Sequence, residues 1–228
     1  MKKRRIVIFG SAEMASLARY YFEKSEENVV KAFTVDDAFV QQDTFEKLPI
    51  VPWSELQKTF PCSTHSAHVA LSYKKLNRLR ERKFHQVKNA GYNLLSYISP
   101  NASICSSFRH GDNCLVLEDQ TIQRNVVFQD NVMAWSGNHF GHGSVIGSHT
   151  YVSSHVVISG NSQIGQRCFF GVNAAIKDFS KIGDDCFIGM GSNIIKDMND
   201  GSVAINPSSS ILDESDRRAK LIVKSYFG

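Results

Sequence analysis

The chain has 228 residues, 26 of them basic and 22 acidic, for a net charge of +4, with 42% hydrophobic and 21% charged residues. This is the balance of an ordinary soluble globular protein, with length for one large domain or two small ones and too little positive charge to demand nucleic acid. No apolar run approaches the roughly 18 residues of a membrane span, the apolar stretch in MKKRRIVIFG is too short for a secretion signal, and five cysteines without paired spacing suggest reduced thiols and a cytoplasmic setting.

In chain order, RRIVIFG reads as a short strand ending at Gly10. SAEMASLARYYFEK has the helical spacing of Met14, Leu17, Ala18 and Tyr21. VVKAFTV is a second strand ending at Asp36 and Asp37, LPIVPWSELQKTF a short strand and a helix opened by Ser54, and AHVALSY a third main strand. KKLNRLRERKFHQVKNAGY predicts a basic helix over 74–90, ended by Gly91, whose default reading is a solvated face. Strand, glycine turn, helix, strand and acidic pair is the order of a nucleotide-binding unit, although GSAEMA lacks the spaced glycines of GxGxxG.

From Ile98 the rhythm changes to a period of six, as in IGSHTY VSSHVV ISGNSQ IGQRCF. Sixteen of the seventeen first positions between Ile98 and Ile194 are apolar, His110 being the irregular one, and the fifth is mostly short. Gly, Asn and Asp crowd the positions between. Six residues fit neither a 3.6-residue helix nor simple alternation; they fit a short strand and a corner, repeated. The first and fifth residues point inward, and the corners need residues that accept positive φ. Cys114, Cys168 and Cys186 fall on fifth positions and read as packing atoms.

This pattern resembles the hexapeptide-repeat, left-handed parallel β-helix, with three hexads per coil. With the first half, it is similar to the sugar-nucleotide acetyltransferases, in the branch of sialic acid O-acetyltransferases and of bacillosamine and GDP-perosamine N-acetyltransferases. SGNHFGHGSVIG, SSHVVISG, CFFGVNA and the strand-end VDD carry the resemblance. It implies an α/β Rossmann-like sugar-nucleotide domain over 1–97, a β-helix acyltransferase domain over 98–206, and a tail over 207–228. Within the tail, residues 213–224 are expected to form a helix capping the open end. It also implies a homotrimer, acetyl-CoA lying between neighbouring β-helices, a nucleotide-sugar substrate, and no metal.

By the same resemblance, His142 is the general base. Gly10 and Ser11 lie beneath the phosphates, Asp36 and Asp37 contact the base or ribose, and Lys74 is a candidate for a further phosphate contact. Gly160, Val172, Gly189 and Met190 match positions along the pantetheine groove. Read on its own, His142 is the third residue of its hexad, outward, with Arg124 and Gly160 eighteen residues to either side; an imidazole there suits proton removal from an acceptor near neutral pH. Relatives carry an acidic residue or histidine next, where this chain has Gly143, leaving Asn138 or a partner subunit's carboxylate to polarise His142. His139 is a candidate to orient the sugar, and His155 to line the CoA groove or the subunit contact. His149, at a corner, is expected to face solvent.

An amine acceptor is favoured over a hydroxyl, which would need a stronger base; O-acetylation is the alternative. A zinc β-helix enzyme is disfavoured by the histidine spacing, and a non-catalytic scaffold by the outward His142 beside glycine.

Overall fold

The computed structural model describes residues 3–227. Strand β1 (Arg4–Phe9) is followed by α1 (Glu13–Lys24), β2 (Asn28–Val35), β3 (Thr44–Phe45), β4 (Leu48–Pro52), α2 (Leu56–Thr59), β5 (Ser66–Val69) and α3 (Arg78–Asn89). The sheet order is β3-β4-β2-β1-β5, and all neighbours are parallel except the β3–β4 hairpin. Ile6, Val7 and Ile8 of the central β1 are completely buried, because a parallel strand covered on both faces must be apolar at every position. The carboxyl ends of β1, β2 and β5 share one edge, where Gly10, Asp36 and the segment after Val69 emerge.

From Tyr97 onward, two-residue strands alternate with corners and stack into three parallel sheets of seven, six and five strands. As far as Ile194 each rung pairs with the one eighteen residues on, as Ile122 with Phe140 and Phe140 with Ile158; in the last coil the spacing shortens to sixteen, Ile188 pairing with Ala204. This parallel, three-sided stack fits the left-handed β-helix. First and fifth positions fill its interior, from Cys114 and Val116 to Cys186 and Ile188. Fully buried side chains such as Phe128, Phe140 and Phe170 each contribute about 1.5–3 kcal/mol of burial. Fourth positions carry the positive φ of the corners, among them Asn131, His149, His155, Asn161 and Arg167.

One side of the stack faces the α/β unit. Leu115, Met133 and Tyr151 project from it into a single cluster with Ile6, Ile8, Phe22 and Phe33. Helix α3 adds a second contact, and here two expectations are corrected. The helix begins at Arg78 rather than Lys74, because Lys75, Leu76 and Asn77 all take positive φ, which breaks a right-handed helix. It is not a solvated face either: Arg80, Lys83, Phe84 and Val87 are buried. The Arg80 guanidinium donates to the carbonyls of Asn131 and His149, and the Asn77 amide to those of Arg167 and Cys168.

In the tail, α4 (Arg217–Phe227) starts later than the predicted helix. None of residues 217–225 is buried, and Leu221, Ile222 and Val223 stay exposed. The helix therefore does not cap the last coil.

Candidate active site

His142 stands at the corner that follows the strand His139–Phe140, exposed, as its third position dictates. The next coil brings Gly160 beneath its ring, and a Cβ on Gly160 would lie 2.8 Å from His142 Cε1. The carbonyl of Gly160 accepts from Phe179 N–H at 2.9 Å, whereas its own N–H has no acceptor among the described residues. From the coil before, Gln123 Oε1 accepts the backbone N–H of His142 at 2.9 Å and lies 3.1 Å from His142 Nδ1. An exposed histidine and an unused backbone donor therefore share one corner. Sequence reasoning missed Gln123, which stands nineteen residues before its partner.

Asn138 cannot polarise His142 or reach a ligand, and that expectation is corrected. It is 1% exposed, its amide donating to Trp135 O and its oxygen accepting from Val156 N–H. It occupies a fifth position, which the chain's own register sends inward. His139 projects outward between Thr121 and Val157 and is half-buried. His155 is exposed, its ring lying over Gly137.

Val172 and Met190 border a groove of about 510 Å³ with Tyr73, Trp135, Tyr151 and Phe169. Tyr151, Phe169 and Phe187 stack along it at 5.5 and 5.3 Å, and Met190 is 70% exposed. Gly189 is buried beside Ala204 and Ile205. His142 follows a strand of the sheet that contains 139–140 and 157–158, whereas His155, Val172 and Met190 precede strands of that same sheet. The imidazole and the groove thus lie on opposite edges of one face and do not meet within a single chain.

At the carboxyl edge of the α/β sheet, Gly10 has φ +132, and a Cβ there would sit 2.8 Å from Ala70 O; only glycine fits. Ser11 is half-buried just before α1, whose N-cap, Ala12, offers no side-chain cap. Lys74 is exposed in the turn after β5. The acidic pair divides. Asp37 accepts from Ser54 N–H at 3.1 Å, and the hydrogen bonds from Ser54 hold its carboxyl below the usual range. Asp36 is half-buried, and the buried Lys83 ammonium pairs with its Oδ1.

His149 is 3% exposed, against the expectation of a solvated corner, because α3 docks on that corner. Its ring packs on Phe84 and His85, and burial, followed by the nearby Arg80 charge, pushes its pKa down to about 3. Glu81, His85 and His149 offer ligand atoms within 4.8 Å of one another, a spacing compatible with a metal. The hydrogen bonds argue otherwise. Val69 N–H donates to Asn113 Oδ1, Asn113 Nδ2 to Asn131 Oδ1, and Asn131 Nδ2 contacts His149 Nδ1. Nδ1 must accept, so the Nε2 that faces Glu81 carries the proton. The trio reads as side-chain packing around a His149 whose hydrogen bond goes to Asn131.

Among the described residues, no helix is long and apolar enough to cross a membrane. No protein-family model and no curated protein matches the sequence. Solved structures do. The acetyltransferase domain of PglB from Neisseria gonorrhoeae, in complex with acetyl coenzyme A, superposes with a TM-score of 0.79 at 20% identity over 92% of this chain and 100% of that one. PerB from Caulobacter crescentus, in complex with CoA and GDP-perosamine, gives 0.78 at 23% identity over 88% and 93%. A histidine-to-alanine mutant of the GDP-perosamine N-acetyltransferase from the same organism gives 0.64 at 22% identity over 91% and 97%. The fold is shared with these enzymes.

Proposed function

We propose that this protein is an acetyl-CoA-dependent N-acetyltransferase acting on a nucleotide-linked amino sugar, in the synthesis of a surface glycan. The observation that carries the reading is the His142 imidazole lying over Gly160, whose N–H is free. That pair supplies the two groups acyl transfer needs: a base for the acceptor proton and a fixed donor for the oxyanion. The solved structures of this fold, crystallised with acetyl coenzyme A and with CoA and GDP-perosamine, name the two substrates to test first.

In this mechanism the sugar amine attacks the thioester carbonyl carbon while the His142 imidazole takes its proton. The carbonyl oxygen, now negative, accepts from Gly160 N–H. Collapse expels the CoA thiolate, which recovers the proton from the imidazolium, so no acyl-enzyme forms.

The α/β unit would act as a Rossmann-like nucleotide domain. Its carboxyl edge gathers Gly10, Ser11, the uncapped N-terminus of α1, Asp37 and Lys74, and ligands of open parallel sheets bind at such edges. Asp36, paired to Lys83, would hold the edge in shape. The pantetheine would run past Val172, Gly189 and Met190, with His155 beside it. Because His142 and that groove occupy opposite edges of one face, association of three copies would close each site between neighbours, with His139 beside the sugar.

An amine acceptor fits better than a hydroxyl because the neighbour of His142 Nδ1 is the neutral amide of Gln123 rather than a carboxylate. The test is release of free CoA from acetyl-CoA across UDP-, GDP- and dTDP-linked amino sugars beside their hydroxyl counterparts. Turnover with one amino sugar only supports the proposal, and turnover with hydroxyl acceptors only replaces it with O-acetylation. Absence of CoA binding would leave a non-catalytic β-helix.

A further inference from the structure

We infer that Gln123 is a positioning residue that decides which nitrogen of His142 serves as the base. The catalytic consequence rests on the acetyltransferase reading, whereas the protonation pattern of the ring does not.

The backbone N–H of His142 can only donate, so the atom of the Gln123 amide 2.9 Å from it must be the oxygen. The same oxygen lies 3.1 Å from His142 Nδ1. A carbonyl oxygen cannot donate, so a hydrogen bond there requires the proton on Nδ1. The lone pair of the neutral ring is then on Nε2. One backbone group fixes the amide, and the amide fixes the tautomer. During transfer Nδ1 keeps its proton, donated to Gln123, while Nε2 takes the proton of the acceptor and returns it to the CoA sulfur.

Gln123 also caps a backbone group, so a purely structural role must be separated. The same fold supplies the control. Gln129 Oε1 accepts the backbone N–H of Ser148 at 3.1 Å in the same way, with no imidazole beside it.

The experiment records two-bond ¹⁵N–¹H correlations of His142 in the full chain, for wild type, Gln123→Ala, Gln123→Glu and Gln129→Ala, with kcat–pH profiles alongside. In wild type and Gln129→Ala the proton should sit on Nδ1; in Gln123→Ala it should redistribute between the nitrogens. Then kcat should fall about tenfold in Gln123→Ala, the low end of the cost of losing a histidine's orienting partner. Gln123→Glu should restore the Nδ1–H form and move the acidic limb of the profile to higher pH, since a carboxylate favours the imidazolium. A proton on Nε2 in wild type would overturn the inference even in an active enzyme. So would equal losses of activity in Gln123→Ala and Gln129→Ala, or an unaltered tautomer in Gln123→Ala. A protein with no transferase activity would remove the function proposed above, yet the spectra would still decide the role of Gln123.

Discussion

Arg80 Nη2 donates to the backbone carbonyl of His149 at 2.6 Å, across 69 residues of sequence and from one structural unit to the other. The guanidinium is 2% exposed, and its second nitrogen serves the carbonyl and side chain of Asn131. Beside it the Asn113 side chain accepts from Val69 N–H and donates back to Val69 O, while its amide also reaches Asn131 Oδ1. The corner column 113–131–149–167 is thus riveted to α3 and β5, which holds the carboxyl edge of the α/β sheet at a fixed offset from the coils.

Arg80→Ala should therefore cost more than an ordinary surface change. It leaves buried carbonyls without donors, each such loss costing about 1–3 kcal/mol. Denaturant unfolding is expected to show a loss of roughly 3 kcal/mol, with Arg80→Lys recovering little because one ammonium lacks the planar fork. A loss under about 1 kcal/mol would contradict this account.

His142→Ala should lower kcat by about 10²-fold or more, the usual size of general-base catalysis, while CoA affinity measured by calorimetry holds. An unchanged rate would remove His142 from the mechanism.

Gly160→Ala tests the floor of the site. Its backbone is not in the positive-φ region, but the new methyl would meet His142 Cε1 at 2.8 Å. The ring must move, so a kcat loss of about tenfold or more is expected, with unfolding stability lowered by no more than about 1 kcal/mol. Wild-type turnover would show that the ring is not held over that glycine during catalysis.

Acid should destabilise the fold in a defined window. Burial pushes His149 down to about 3 and His68 to about 4, against about 6.5 in an unfolded chain. Between those limits the unfolded state binds protons that the folded state refuses, so stability falls as pH drops from about 7 toward 4. The slope is at most about 1.4 kcal/mol per pH unit for each histidine. His149→Asn keeps a residue that tolerates the positive φ of +64. Melting temperatures at pH 7 and pH 5 should differ less in that variant than in wild type; an identical difference would exonerate His149.

The proposed assembly predicts a solution mass of about three times the 25.5 kDa chain by light scattering. Val157 projects, 41% exposed, from the face that separates His142 from the groove. Val157→Glu should then dissociate the oligomer and abolish turnover together. A monomeric wild type with full activity would rule out sites shared between copies.

The coils were legible because inward positions recur every six residues and tolerate little else. Asn138 was legible too, since the rule that buries Cys114 and Cys168 also buries it. What escaped depended on partners that no local pattern names. The buried face of α3 reads as basic because Arg80 and Lys83 find carbonyls and a carboxylate elsewhere in the chain. The start of the helix was hidden by three successive residues whose left-handed backbone their side chains do not announce. His149 was misjudged because its corner is exposed in a bare β-helix and covered only where α3 lands.

The eighteen-residue pairing, unbroken as far as Ile194, has a consequence for change in the sequence. The stack works as a ruler with a single graduation: deleting one residue between 98 and 194 would turn every later inward side chain toward a corner or toward water. It would also slide one wall of the His142–Gly160 corner past the other. Length can vary without that cost by whole coils, by loops extruded at a corner, or at the terminal coil, where the spacing already shortens to sixteen and no later rung is displaced.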